Sequence, residues 1–257
     1  MEVTFLGTGT SHGVPMIGCR CAVCRSPDPR DRRWRPSVLV TLGGGSRLLV
    51  DTSTDLRAQA LAFGVDRVDA ILYTHGHADH ILGLDEVRRY NVLAGRALPA
   101  YADPATAADL RRTFAYAFAR DAEEGGGVPE IDLHEIEGPF VLWGQTVWPV
   151  PIWHGRRRIL GFRLGRFAYL TDCSGIPDES WPLLEGLDVL VIGALRERPH
   201  PTHFTVAQAV EAARRIAPRR AFLTHLCHEV GHAALEAKLP SGIAPAHDGL
   251  IVEIDDL

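Results

Sequence analysis

The chain has 257 residues, 46% hydrophobic and 23% charged, proportions typical of a folded globular protein with a sizeable core. Its formal net charge of −5 provides no broad attraction for long nucleic acids or anionic membranes, so neither is expected as a partner. We see no secretory leader and no apolar run approaching the roughly 20 residues that span a bilayer, which makes the cytoplasm the expected location. A homodimer remains compatible with these features.

The chain begins with a predicted strand, Val3–Leu6, which leads into a glycine-rich turn at residues 7–13. The turn lacks the G-x-G-x-x-G register of dinucleotide-binding folds, and no helical pattern follows it directly. We therefore do not expect dinucleotide binding at this turn.

Three of the five cysteines, Cys19, Cys21 and Cys24, lie within six residues in the order C-x-C-x2-C. Without an expected export signal, this spacing favours thiolate metal ligands over disulfides. Three thiolates need a fourth ligand to complete a tetrahedral zinc site, and we favour His228 for that position. The alternative interpretation is three idle or buried thiols.

Further strands are predicted at Ser37–Thr41, Arg47–Val50 and Val68–Tyr73. The last of them leads directly into Thr74-His75-Gly76-His77-Ala78-Asp79-His80, which contains four ligand-type side chains within six residues. His75 and His77 can converge only on a turn, which Gly76 permits, whereas Asp79 and His80 can face a second point nearby. Nitrogen and carboxylate ligands of this kind suit zinc, manganese or iron.

Helical periodicity predicts helices at Ala105–Ala119 and Thr205–Ile216, capped by Asp103 and Thr205. Between them, the glycine-rich segment Glu123–Pro129 is a predicted loop that joins two halves of the chain. A second set of strands is predicted at Val147–Pro151, Leu160–Leu164, Phe167–Leu170, Val189–Ile192, Ala221–Thr224 and Leu250–Ile254. Two sets of strands, each with helices, predict one domain over residues 1–257 of the α/β (α+β) class, a four-layer αββα sandwich.

Three later strands are each followed by a single ligand-type residue, namely His154, Asp172 and His225. The open ends of sheets are where folds of this kind place their chemistry. Taken alone, each residue fits an ordinary loop. Taken with the histidine-rich motif, the three residues complete two metal sites.

Together these residues resemble the ligand set of metallo-β-lactamase-fold hydrolases, and the resemblance extends over nearly the whole chain. It implies that His75, His77 and His154 bind one metal ion and that Asp79, His80 and His225 bind another, with Asp172 as the bridge. It also implies that Asp51 orients a histidine ligand through its second ring nitrogen.

The cysteine cluster and the stretch Thr224-His225-Leu226-Cys227-His228 are similar to a narrower group, the cyclic-phosphate phosphodiesterases that cleave phosphoribosyl 1,2-cyclic phosphate. This similarity implies one structural zinc beside two active-site ions, which would be zinc, manganese or iron. It implies a small phosphodiester as substrate, with Asp79 and a histidine before the late helix as catalytic residues. His203 is our choice for that histidine, and His200 is the less favoured alternative.

Other functions stay open at this point: an RNA-end-processing nuclease, a thioester or lactam hydrolase, and a non-catalytic carrier in cofactor biosynthesis. The acidic net charge disfavours the nuclease. The zinc-protease pattern H-E-x-x-H at residues 228–232 is rejected because Gly231 and Pro240 restrict the long helix it requires. Arg156, Arg157 and Arg158 either present positive charge to a substrate phosphate or form a solvated face.

Overall fold

The structure is a computed structural model that describes residues 1–119 and 127–255. The predicted loop Glu123–Pro129 therefore lies largely outside the described residues, which resume at Gly127. None of the helices in these ranges combines the length and the apolar character needed to cross a membrane.

The first sheet has seven strands within the described ranges, in the order β14-β1-β2-β3-β4-β5-β6. Pairing is antiparallel from β14 to β3 and parallel from β3 to β6. The strands are β1 (Glu2–Gly7), β2 (Ser37–Thr41), β3 (Arg47–Val50), β4 (Ala70–Leu72), β5 (Leu98–Ala102), β6 (Ile131–Glu135) and β14 (Ile251–Glu253).

The second sheet repeats this pattern, with seven described strands in the order β13-β12-β11-β10-β9-β8-β7. Pairing is antiparallel from β7 to β10 and parallel from β10 to β13. The strands are β7 (Phe140–Leu142), β8 (Gln145–His154), β9 (Arg157–Leu164), β10 (Phe167–Leu170), β11 (Val189–Gly193), β12 (Arg220–Thr224) and β13 (Ile243–Pro245).

Three hydrophobic clusters define the layers of the molecule. The central cluster combines first-sheet residues such as Val3 and Phe5 with second-sheet residues such as Phe162 and Val189, so the two sheets pack face to face. The two outer clusters pack helices against the far face of each sheet. The predicted four-layer αββα sandwich is therefore confirmed.

The helices of the described chain are α1 (Leu56–Phe63), α2 (Ala78–Ile81), α3 (Val87–Ala94), α4 (Pro104–Thr113), α5 (Ala115–Phe118), α6 (Val206–Ile216) and α7 (His232–Glu236). Short 3₁₀ turns cover Pro29–Asp31, Leu84–Glu86 and Asp178–Leu184. Both predicted caps form, since Asp103 accepts from the Thr106 amide and Thr205 forms a capping box with Gln208. The predicted helix Ala105–Ala119 is broken at Phe114, whose backbone leaves the helical region and whose side chain is buried in the outer core.

Two sequence predictions about the sheets need correction. The strand near Leu250–Ile254 was expected with the second set, but β14 pairs with β1 in the first sheet, because the end of the chain returns across the sandwich. The strands β5, β6, β7 and β13 were not predicted. In β6 the side chains at the edge of the sheet are half-buried or exposed, so this strand lacks the apolar run that marks a buried one.

Candidate metal centre

Several strand ends meet at one edge of the sandwich, because the parallel strands of both sheets end there. Each brings a polar residue: Asp51 follows β3, His75 follows β4, His154 ends β8, Asp172 follows β10 and His225 follows β12. The helix α2 begins in the turn after His75 and carries the next two motif residues, Asp79 and His80. The topology thus brings residues from both halves of the chain to one place.

The first cluster consists of His75, His77 and His154, whose ligand-type nitrogens lie within 4.8 Å of one another. Nε2 of His75 is 3.0 Å from Nδ1 of His77. Nδ1 of His154 faces two backbone carbonyl oxygens, those of Asp172 and Thr202, each at 2.8 Å. Nδ1 of His154 is therefore the protonated donor, and its Nε2 is left with a free lone pair.

The second cluster consists of Asp79, His80, Asp172 and His225, all buried and within the same 4.8 Å limit. Asp172 lies between the two histidines, with one carboxylate oxygen 3.2 Å from Nε2 of His80 and the other 3.2 Å from Nε2 of His225. Asp172 also groups with His154 and His203, so its carboxylate is shared by both parts of the site.

Asp51 is fully buried beneath the second cluster and accepts three hydrogen bonds. The donors are the Thr74 amide at 2.8 Å, the Thr74 hydroxyl at 2.8 Å and Nδ1 of His80 at 2.7 Å. Because Nδ1 of His80 donates to Asp51, Nε2 is the ring nitrogen that faces the other carboxylates and would bind a cation there. The hydroxyl of Thr74 also lies 3.0 Å from Nδ1 of His75, a supporting contact that the ligand pattern of the motif does not predict.

Three of these residues have a backbone conformation that side chains rarely adopt. Asp51, Asp172 and His225 have φ values of 65°, 56° and 59°, in the left-handed region. Non-glycine residues in this region carry local strain, and such positions are concentrated at functional sites. Each of these residues sits just past a strand end, where the left-handed turn directs its side chain toward the shared edge.

The chemistry of the donor set fits divalent metal ions. Nε2 of His80 and Nε2 of His225 are buried and have no hydrogen-bond partner, although such atoms normally have one. Although burial opposes it, the carboxylates of Asp172, Asp79 and Asp51 raise the pKa of His80 well above its usual value. The buried cluster therefore has an excess of negative charge and lone pairs that a cation would satisfy.

Two further histidines, His203 and His200, lie at the rim of the candidate metal centre. His203 is the nearer of the two to the ligand residues. Its Nδ1 is 3.8 Å from Asp172, and its ring lies 4.7 Å from that of His154 and 4.8 Å from that of His225. Burial and the neighbouring His225 lower the pKa of His203 to about 3, so its imidazole is neutral. His200 lies one ring further out, 5.1 Å from His203, with Nδ1 held by the Thr202 hydroxyl at 3.1 Å.

A cleft of about 350 Å³ opens beside these histidines. Its walls include His203 and His225 of the metal centre, Arg196 and Arg198, and Thr10 and His12 from the glycine-rich turn. Arg196 and Arg198 both bind Glu229, at 3.1 Å and 2.7 Å, so part of their charge is neutralised. The turn at residues 7–13 therefore lies beside the site.

The three closely spaced cysteines and His228 form a separate cluster within 4.8 Å. Nδ1 of His228 is 3.3 Å from Sγ of Cys19 and 3.4 Å from Sγ of Cys21. The Cys24 amide donates to Sγ of Cys21, and with His228 it lowers the pKa of Cys21 to about 6. Three thiols and one imidazole with supporting amides suit a closed tetrahedral zinc site.

The cysteine cluster is joined to the metal centre by the segment that follows β12. This segment carries His225 and then His228, so each cluster holds one end of it. Within it, the Leu226 amide donates to the Thr8 carbonyl at 2.9 Å, and the Cys227 carbonyl accepts from the buried Arg33 at 3.1 Å. The position of His225 therefore depends on contacts on both sides of the segment.

The structural reason for glycine at position 76 differs from the one that the motif predicts. The φ of Gly76 is not positive, so the turn does not require the freedom of glycine. A Cβ at this position would lie 2.4 Å from Oδ2 of Asp109, a residue of α4 that no sequence motif singles out. Glycine is needed because α4 brings a carboxylate against the backbone between His75 and His77.

Comparison with known proteins gives a family and several relatives. Residues 46–226 match the model of the β-lactamase superfamily domain. A solved diphosphatase of the PhnP family is 45% identical with a TM-score of 0.92, over 99% of this chain and 98% of that one. Zinc-bound PqqB from Methylobacterium extorquens is 21% identical with a TM-score of 0.76, covering 99% of this chain and 100% of that one, a likeness of fold alone.

One similar curated protein is an octanoyltransferase from Porphyromonas gingivalis (strain ATCC BAA-308 / W83). It is 40% identical over 263 residues, which cover all of this chain and 52% of the octanoyltransferase. The chain therefore spans about half the length of that relative.

Proposed function

The chain belongs to the metallo-β-lactamase superfamily, and we propose that it is a dinuclear metal-dependent phosphodiesterase acting on a small phosphodiester. One observation carries the proposal. Two groups of metal-type ligands meet at the sheet edge, where Asp172 of the second group also lies within 4.8 Å of the ligand atoms of His154 and His203. The adjoining cleft is lined by His203, which is not in the proposed ligand set. A cleft of about 350 Å³ suits a small substrate.

The ligand roles in this proposal follow the two clusters. His75, His77 and His154 would hold one ion, and Asp79, His80 and His225 would hold the other, with Asp172 between them. The ions would be zinc, manganese or iron. Such a pair supplies a water of lowered pKa and neutralises charge on phosphoryl oxygens. Asp51 and the carbonyls beside His154 fix the tautomers of the ligands.

His203 is the proposed proton donor of the reaction. Hydrolysis of a phosphodiester adds one water across a P–O bond, and the departing oxygen must gain a proton. His203 stands 3.8 Å from Asp172 at the cleft, within reach of a leaving group bound there. An anionic phosphoryl group in the cleft would raise the pKa of His203 from its low value toward that of a useful acid.

The substrate we propose is a cyclic phosphodiester such as phosphoribosyl 1,2-cyclic phosphate. The similarity to a PhnP-family diphosphatase over the whole chain supports phosphate-ester chemistry. Because this chain matches only about half of the octanoyltransferase, that activity is not carried over. Nuclease, thioesterase and carrier functions are the rivals that an experiment has to separate.

The proposal also includes a structural zinc held by Cys19, Cys21, Cys24 and His228. We further propose that residues 1–257 form one domain, since the central core draws on strands from both ends of the chain.

The test is hydrolysis by metal-reconstituted protein of a small panel, with metal content measured on the same sample. The panel contains a phosphoribosyl cyclic phosphate, an aryl phosphodiester, a glutathione thioester and a short RNA. We expect cleavage of the cyclic diester with about three metal ions per chain. Bound metal without cleavage of any phosphodiester would refute the proposed function and favour thioester chemistry or a carrier role.

A further inference from the structure

The hairpin of β8 and β9 determines to which face of the sheet each arginine after His154 projects. The register pairs His154 with Arg157 and Trp153 with Arg158. Directly opposed residues of antiparallel strands project to the same face of a sheet. Arg157 therefore shares a face with a proposed metal ligand, whereas Arg158 projects to the opposite face.

The contacts of the two arginines agree with this register. Nη1 of Arg157 is 3.3 Å from Nε2 of His77, and its Nη2 is 3.5 Å from Oδ2 of Asp109. Arg158 instead binds Glu179 at 2.5 Å and lies 5.7 Å from the centre of the Trp153 ring. Of these two residues, only Arg157 reaches the metal centre.

The hydrogen bond between Arg157 and His77 cannot persist when the site is loaded. A guanidinium only donates, so Nε2 of His77 must be unprotonated here. Nδ1 of His77 is the atom that faces His75 and the rest of the cluster. If Nδ1 held a cation, the proton of the neutral ring would reside on Nε2, and Arg157 would lose this acceptor. Nη1 of Arg157 would then be free to donate to another acceptor at the rim, while its Nη2 faces Asp109 at 3.5 Å.

Two close approaches keep Arg157 at this rim. Asp109 is only 15% exposed and sits against the Gly76 backbone, where its Oδ1 binds Arg112 at 2.6 Å and its Oδ2 lies 3.5 Å from Nη2 of Arg157. The hairpin turn before Arg157 contains Gly155, with φ of 61°, and a Cβ there would lie 2.8 Å from Thr202. The hairpin is therefore packed against the segment that carries His203.

We propose that Arg157, positioned by Asp109, binds an anionic phosphoryl oxygen of the substrate in the metal-loaded protein. Guanidinium groups bind phosphate oxygens with charge-assisted hydrogen bonds and a fork geometry that lysine lacks. The inference rests on the proposed function for its substrate class, and it identifies one residue of the run as the contact. Asp109 is a positioning residue that acts through Arg157.

The test is calorimetric titration of metal-loaded protein with inorganic phosphate, which requires no turnover. We expect Arg157→Ala to weaken phosphate binding by about tenfold or more, with metal content unchanged. Arg157→Lys should recover part of the loss, because it restores charge without the fork. If a diester is cleaved, its KM should rise in Arg157→Ala by a similar factor while kcat changes less.

Arg158→Ala is the matched control from the same hairpin and should bind phosphate like the unaltered protein. Equal phosphate affinity in Arg157→Ala and unaltered protein, at equal metal content, would overturn the inference. Because phosphate binding is measured directly, this result stays separate from the substrate panel. If no diester is cleaved but Arg157→Ala still weakens phosphate binding, the proposed function fails while the anion contact stands.

Discussion

The two metal-type clusters differ in what surrounds them. The histidine and carboxylate cluster is mostly buried and opens onto a cleft beside His203. The cysteine cluster has four half-buried residues that face one another. Structural zinc sites are closed by four protein ligands, whereas catalytic sites keep a position open for water and substrate. The comparison is the basis for our proposal that the first cluster is a site for chemistry and the second a site for stability.

The two clusters also differ in how their ligands are held. The catalytic-type ligands sit at strand ends and are fixed by buried partners such as Asp51 and Thr74. The cysteines lie in the long connection between β1 and β2, where the described helical structure is one short 3₁₀ turn, Pro29–Asp31. A metal ion in the cysteine cluster would thus order a loop, whereas the strand-end site is organised by the sheets.

The largest loss of activity should come from replacing Asp172, which is shared by both parts of the histidine and carboxylate cluster. Asp172→Asn keeps a residue that tolerates a left-handed backbone and removes the charge. Activity should fall by at least about 10³-fold, because the buried site loses its central carboxylate. Metal analysis should show loss of the active-site ions and retention of about one zinc per chain. If Asp172→Asn kept its full metal content, the proposed distinction between the two clusters would be wrong.

A smaller but still large loss is expected for His203→Ala. Turnover should fall by about 10²–10⁴-fold, the usual contribution of a general acid, with metal content unchanged. The loss should shrink for an aryl diester, whose leaving group needs little protonation. His200→Ala is the control and should retain most activity, since its ring lies further from Asp172. Unchanged turnover in His203→Ala would remove its assigned role.

A moderate loss of metal affinity is expected when the Asp51 carboxylate beneath the second cluster is replaced. Asp51→Asn leaves Nδ1 of His80 without a charged acceptor, and it should weaken metal binding by about 10–100-fold. Competition with a chelator measures this affinity without any substrate. The cysteine-bound zinc should be unaffected, and loss of that zinc as well would indicate general unfolding.

The smallest effect on activity should come from the cysteine cluster. Cys21→Ala should lose the structural zinc and lower Tm by about 5–10 °C, while the active-site metals remain. Cys227→Ala removes a buried thiol outside the cluster and should keep all metals. If Cys21→Ala abolished activity as fully as Asp172→Asn, the cysteine cluster would be more than a stabilising site.

Local patterns in the amino-acid sequence are enough to predict the type of chemistry and the layers of the fold. Runs such as Val189–Gly193 mark strands buried on both faces, and helix caps such as Asp103 are local signals. The density of ligand-type residues at 75–80 and the spacing of the cysteines are local as well. Such patterns can be seen in one sequence because neighbouring residues carry them.

The folded structure alone establishes several contacts that these local patterns do not predict. It brought β14 into the first sheet and set Asp109 against Gly76. It also turned Arg157 toward the metal centre and Arg158 away from it. These outcomes depend on strand register and on packing between segments far apart in the chain, and a shift of one residue in register would reverse the faces of both arginines.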